Sequence, residues 1–115
     1  MNRLAARLGA ALLGTAAVVT LAAAPAQAAP TVSQVNCESG GSRFICRIAV
    51  SGTTGTVQIR WVFNGAPISA WNDRTLVSGG CAGNFTNYQV GATVTDATGP
   101  TSTRGVLTCR TGPWP

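Results

Sequence analysis

The chain has 115 residues, 45% of them hydrophobic and only 10% charged, with eight basic residues against three acidic, no histidine and a formal charge of +5. That length supports one domain of ordinary size, and the lack of histidine removes the commonest general base and metal ligand from the available chemistry. All the cations are arginines and no two are adjacent, so the electrostatic footprint of a nucleic-acid binder is missing.

At the start of the chain, Arg3 and Arg7 precede an apolar run from Leu8 to Ala24, which Pro25 interrupts before the small-x-small triplet Ala26, Gln27, Ala28. This is the pattern of a helical, cleavable signal peptide over residues 1–28, leaving a mature domain of residues 29–115 that begins at Ala29. The run is shorter than the roughly 20 apolar residues a membrane span needs, and no basic stop-transfer cluster follows it. The expectation is a secreted protein with no stable membrane anchor after cleavage.

The mature part reads as strands throughout. A weak strand is expected at Thr31 to Asn36, followed by the polar loop Glu38 to Arg43. Phe44, Cys46, Ile48 and Val50 then alternate with Ile45, Arg47, Ala49 and Ser51, the period of a half-buried strand. After a turn at Gly52 to Gly55, Val57, Ile59, Trp61 and Phe63 repeat the pattern up to Asn64 and Gly65. A second weak strand is expected at Arg74 to Val77. Tyr88, Val90, Ala92 and Val94 form another, and a turn at Asp96 to Pro100 leads to a last strand near Thr103 to Arg110. Six to seven short strands at this spacing, with no helical stripe, predict an all-β, antiparallel two-sheet sandwich. Alternation also places Arg47 and Arg60 on outward faces, a possible cationic stripe.

The four cysteines Cys37, Cys46, Cys81 and Cys109 all follow the leader, and an even count in an exported chain reads as two disulfides. A zinc site would need histidine or a C-x-x-C pair, and neither is present. Three connectivities are possible. Cys37 with Cys46 is favoured because a reversal centred between Gly41 and Ser42 sets them opposite each other. Cys81 with Cys109 follows, because pairing of the last two strands carries Cys109 back toward Cys81. The competing arrangement links Cys46 to Cys109 and Cys37 to Cys81 across the sandwich.

Two stretches, NYQVGATVTDATG at residues 87–99 and WVFNG at residues 61–65, resemble the penultimate strand and the W-x-F strand of bacterial immunoglobulin-like and polycystic-kidney-disease-type (PKD) modules. The resemblance implies an immunoglobulin-like sandwich acting as a spacer, adhesion unit or binding scaffold. Fold alone does not assign activity. The three carboxylates Glu38, Asp73 and Asp96 are scattered, and oxidised cysteines cannot act as nucleophiles. No enzyme activity, cofactor or metal is therefore expected.

Of the three tryptophans, Trp61 alternates with core residues, and Trp114 lies in a tail between prolines that is expected to be disordered. Trp71 follows an irregular segment and precedes Asn72, Asp73 and Arg74. It is therefore either a cap on the sandwich or, with Asn72 and Arg74, a loop site for an unknown protein or a glycan such as a cell-wall polymer. Asn84, Phe85, Thr86 matches a glycosylation sequon, read as chance. The leading expectation is a monomeric, non-catalytic binding or structural module of the cell envelope or medium, contacting glycan, wall polymer or another protein through loops such as Ile68 to Arg74 and Ser78 to Thr86. The alternative is a secreted inhibitor of an extracellular protease or amylase, with Arg74 or Leu76 as its specificity residue.

Overall fold

A computed structural model describes residues 28–115 of the chain, so the expected leader, Ala28 excepted, lies outside the described residues. The strands are β1 (Thr31–Val32), β2 (Asn36–Gly40), β3 (Arg43–Arg47), β4 (Val50–Ser51), β5 (Gln58–Phe63), β6 (Ala66–Pro67), β7 (Leu76–Gly80), β8 (Asn87–Asp96) and β9 (Gly99–Thr108). All pairings are antiparallel, and among the described residues the only helical element is a single 3₁₀ turn at Ser69–Trp71.

Three sheets result. One has the order β9-β8-β5-β6, the second β2-β3-β7, and β1 pairs with β4 in a short ribbon. Inward-facing Phe44, Cys46 and Val77 from the second sheet meet Ile59, Trp61, Val90, Ala92, Val94 and Leu107 from the first in one continuous buried cluster. The fold is thus all-β and sandwich-like. Trp61 is its largest fully buried side chain, and its indole Nε1–H donates to the Arg74 carbonyl at 2.8 Å, so burial leaves no orphaned donor.

Several boundaries differ from those expected, each for an identifiable physical reason. The β2–β3 loop is tighter: its centre is at Gly41–Ser42, as expected, but both residues have positive φ, 58° and 62°, so two residues suffice to reverse the chain. The strand that begins at Arg43 stops at Arg47, because Ile48 and Ala49 change partners. The Ile48 N–H donates to Thr75, while Ala49 exchanges hydrogen bonds with Ser33 at the β1 ribbon.

The strand expected at Arg74 to Val77 runs instead from Leu76 to Gly80. Gly79 within it leaves room for the Phe44 ring, which lies 3.0 Å from where a Cβ would stand. The last strand begins at Gly99 rather than Thr103, because Asp96 closes the β8–β9 turn. Its carboxylate accepts the Thr98 N–H at 2.9 Å and hydroxyl at 2.6 Å, and the Thr54 N–H at 2.8 Å.

Both disulfides are formed, Cys37–Cys46 and Cys81–Cys109, and no cysteine is free. Cys37 and Cys46 are direct cross-strand partners with Cα atoms 4.1 Å apart, close to the narrow pairs of an antiparallel ladder. Two disulfides fit an oxidising compartment. No helix among the described residues is long and apolar enough to cross a membrane.

Candidate functional site

Trp71, Asn72 and Arg74 do not form one exposed surface. The Trp71 ring is half-buried and stands edge-on to Phe44 at 5.9 Å, Trp61 at 6.1 Å and Phe63 at 5.9 Å. Phe63 in turn stacks on Phe44 and on Tyr88. The 3₁₀ turn thus folds this indole into the aromatic end of the core, which is the capping role. Asn72 and Arg74 remain exposed, but the Arg74 backbone is tied to Trp71 and Trp61.

Asp73 pairs with Arg60 at 2.8 Å rather than with its neighbour Arg74, and the same oxygen accepts the Ile59 N–H at 2.9 Å. Those donors, the Ile59 amide first, hold the Asp73 carboxyl below the usual carboxylate range. Asp96 is lowered for a similar reason, chiefly by the Thr98 hydroxyl and then by the Thr54 N–H. The outward cationic stripe does not form either. Arg47 faces Glu38 on the β2–β3–β7 sheet, whereas Arg60 faces Asp73 beside the other sheet.

A different surface gathers at the end of the sandwich where β7 leaves and β9 arrives. There the segment Cys81 to Thr86 is fixed at every point. Cys81 is bridged to Cys109, the Phe85 N–H donates to the Cys109 carbonyl at 2.7 Å, and the Cys109 N–H donates to Thr86 at 2.8 Å. The Asn84 side chain accepts the Thr111 N–H, and the Tyr88 hydroxyl donates to the Ala82 carbonyl.

On this rigid loop Phe85 is 64% exposed, with φ of +62°, a region that a bulky side chain rarely occupies. The Arg110 guanidinium lies 5.5 Å from the ring centroid, within cation–π range. Arg110, Val106 and Pro115 also line a shallow groove of about 300 Å³ against Cys37, Glu38 and Ser39.

The C-terminal tail completes this end, and it is docked rather than disordered. Gly41 and Ser42 donate their N–H groups to the Gly112 and Arg110 carbonyls, and Trp114 lies over Gly40, where a Cβ would stand 2.7 Å from the Trp114 Cα. Beneath it, the buried Ser39 hydroxyl donates to the Arg43 carbonyl at 2.8 Å and accepts the Arg110 N–H at 2.9 Å.

Sequence reasoning included Phe85 within the candidate contact loop Ser78 to Thr86, but singled out its own triplet only as a sequon. The available signal was a large apolar residue among Gly83, Asn84 and Thr86, in a segment tethered by Cys81. No protein-family model matches the chain. A search of curated proteins likewise returns no significant relative, so any functional assignment has to stand on the geometry of this loop end.

Proposed function

We propose that the chain is a secreted, immunoglobulin-like, non-catalytic binding module that contacts a protein partner outside the cell through the Phe85 loop. The observation that supports this is Phe85 itself. An exposed aromatic ring, held in a costly backbone conformation by a disulfide and a ladder of main-chain bonds, has no role in the buried core. Strain of about 1 kcal/mol or more persists where the surrounding structure enforces it, often at recognition sites. Aromatic and arginine side chains are the usual anchors of protein interfaces, and a rigid loop loses little entropy on binding. The resemblance of residues 61–65 and 87–99 to immunoglobulin-like and PKD modules supports the same reading.

A hydrolase inhibitor is the second reading, favoured by one feature. The loop bearing Phe85 is tethered directly at Cys81, as an inhibitory loop requires, whereas Arg74 and Leu76 are not. Assay against extracellular proteases and amylases at micromolar protein separates the two readings.

The principal test is capture of extracellular proteins, with wall-polymer fractions in parallel, on the immobilised protein and its Phe85→Gly variant. Glycine relieves the left-handed strain, so the variant should be as stable as the parent, or more stable by about 0.5–1 kcal/mol. It should also lose at least about tenfold in affinity for the captured protein. Equal capture by both forms would remove Phe85 from the site. Secretion is tested on material from the medium, whose N-terminus should be Ala29.

A further inference from the structure

A second surface among the described residues is the outer edge of β7. In the β3–β7 ladder, Arg43 pairs with Gly80, Ile45 with Ser78 and Arg47 with Leu76. Just beyond its ends the Ile48 N–H donates to Thr75 and the Cys81 N–H donates to Ser42. Hydrogen-bonded and non-bonded pairs alternate in an antiparallel ladder. Val77 and Gly79 therefore direct their N–H and C=O groups toward β3, while Leu76, Ser78 and Gly80 direct theirs away from it. All three of these residues are exposed, Leu76 to 55%.

The row ends cleanly on both sides. The Arg74 N–H and C=O are used by Trp71 and the Trp61 indole, and those of Ala82 by the Tyr88 hydroxyl.

Three other strand edges are guarded. Proline and charge are the usual means by which edge strands avoid association, and β9 carries Pro100 and Arg104. β6 ends in Pro67, and past it Ile68 and Asp73 bond to the outer edge of β5. β2 runs beside the end of β9, where Arg110 bonds to Ser39. By contrast, β7 reads Leu76, Val77, Ser78, Gly79, Gly80, without charge or proline.

We infer that β7 pairs with β7 of a second copy of this chain, antiparallel about a two-fold axis through Ser78. Only a register centred there matches all three outward residues at once, Leu76 with Gly80 of the other copy and Ser78 with its own counterpart. It sets the exposed Leu76 side chain against a residue with none, and leaves both copies of Arg74 beyond the paired segment. The two three-stranded sheets become one of six, and each dimer carries two Phe85 loops. Two such loops would give avidity toward a repetitive or surface-bound partner.

The test uses position 78, whose side chain is solvent-exposed and outside the core. Sedimentation of the protein with both disulfides intact should show concentration-dependent dimer. Ser78→Lys and Ser78→Glu should each be monomeric, because like charges then face each other across the axis, and an equimolar mixture of the two should restore a 1:1 pair. Ser78→Pro, which removes only an outward N–H, should fold and stay monomeric. Wild-type protein that remains monomeric to about 1 mM, or lysine and glutamate variants that still self-associate, would overturn the proposal. So would a mixture that fails to pair while both variants keep the native circular dichroism. These readouts do not involve Phe85, so their failure is distinct from failure of the binding-module reading.

Discussion

The costs of individual side chains follow from what each one touches. Trp61 is 1% exposed with its indole nitrogen satisfied, so Trp61→Ala should cost about 3–5 kcal/mol. Trp71 is half-buried against three rings, and its alanine variant should cost roughly half as much, about 2 kcal/mol, well above the value for an exposed loop residue. Urea titration followed by circular dichroism measures both. A Trp71→Ala cost under about 0.5 kcal/mol would place the ring outside the core.

The two depressed carboxyls predict a pH limb. Because their folded pKa values lie below the unfolded value, Asp73 and Asp96 contribute stability that is present above the unfolded pKa, about 3.9. That contribution is lost as pH falls through it toward the folded values. Stability should therefore be level from neutral pH to about pH 5 and fall below about pH 4. An Asp73→Asn, Asp96→Asn double variant should be weaker at pH 7 but show a flatter acid limb; an unchanged limb would assign it to other groups.

At the scale of elements, the hairpins and the tail are coupled through small residues. The β2–β3 turn can reverse in two residues only because Gly41 and Ser42 take positive φ, and this brings Gly40 under Trp114. Gly40→Ala places a methyl group within 2.8 Å of the indole and the Trp114 main chain, so the tail has to lift. The expected result, in a background lacking Trp71, is a red shift in the summed emission of Trp114 and the buried Trp61, with a stability loss near 1 kcal/mol and no change in the disulfides. Emission identical to the parent would show that the tail is not seated on Gly40.

For the whole molecule, the bridges contribute by different amounts. Cys37–Cys46 closes a loop with a sequence separation of 9 and Cys81–Cys109 one of 28. Loop-closure entropy alone then assigns about 3 kcal/mol to the first and nearly 4 kcal/mol to the second. Paired serine replacement of Cys81 and Cys109 should therefore destabilise more than that of Cys37 and Cys46, and it should also release the Phe85 loop. Amide exchange at Phe85 and Thr86 measures that release. Digestion of unreduced protein after arginine should yield the peptide holding Cys37 linked to Phe44–Arg47, and Thr75–Arg104 linked to Gly105–Arg110.

Local sequence carried the parts of this protein that depend on period and turn chemistry. The alternation of Ile59, Trp61 and Phe63 and of Val90, Ala92 and Val94 marked the core face, and Gly41–Ser42 located the reversal that pairs Cys37 with Cys46. Tertiary structure decided what local pattern cannot carry. The strand starting at Arg43 stops at Arg47 because Ile48 and Ala49 find partners far away in sequence, at Thr75 and Ser33. Trp71 turned inward because Phe44, Trp61 and Phe63 arrive from two sheets to receive it. Phe85 became conspicuous only once Cys109 and Arg110, at the far end of the chain, clamped its loop and held the ring in solvent. Hydrophobic period specifies which face of a strand is buried, but exposure of a loop side chain depends on long-range contacts that no local pattern encodes.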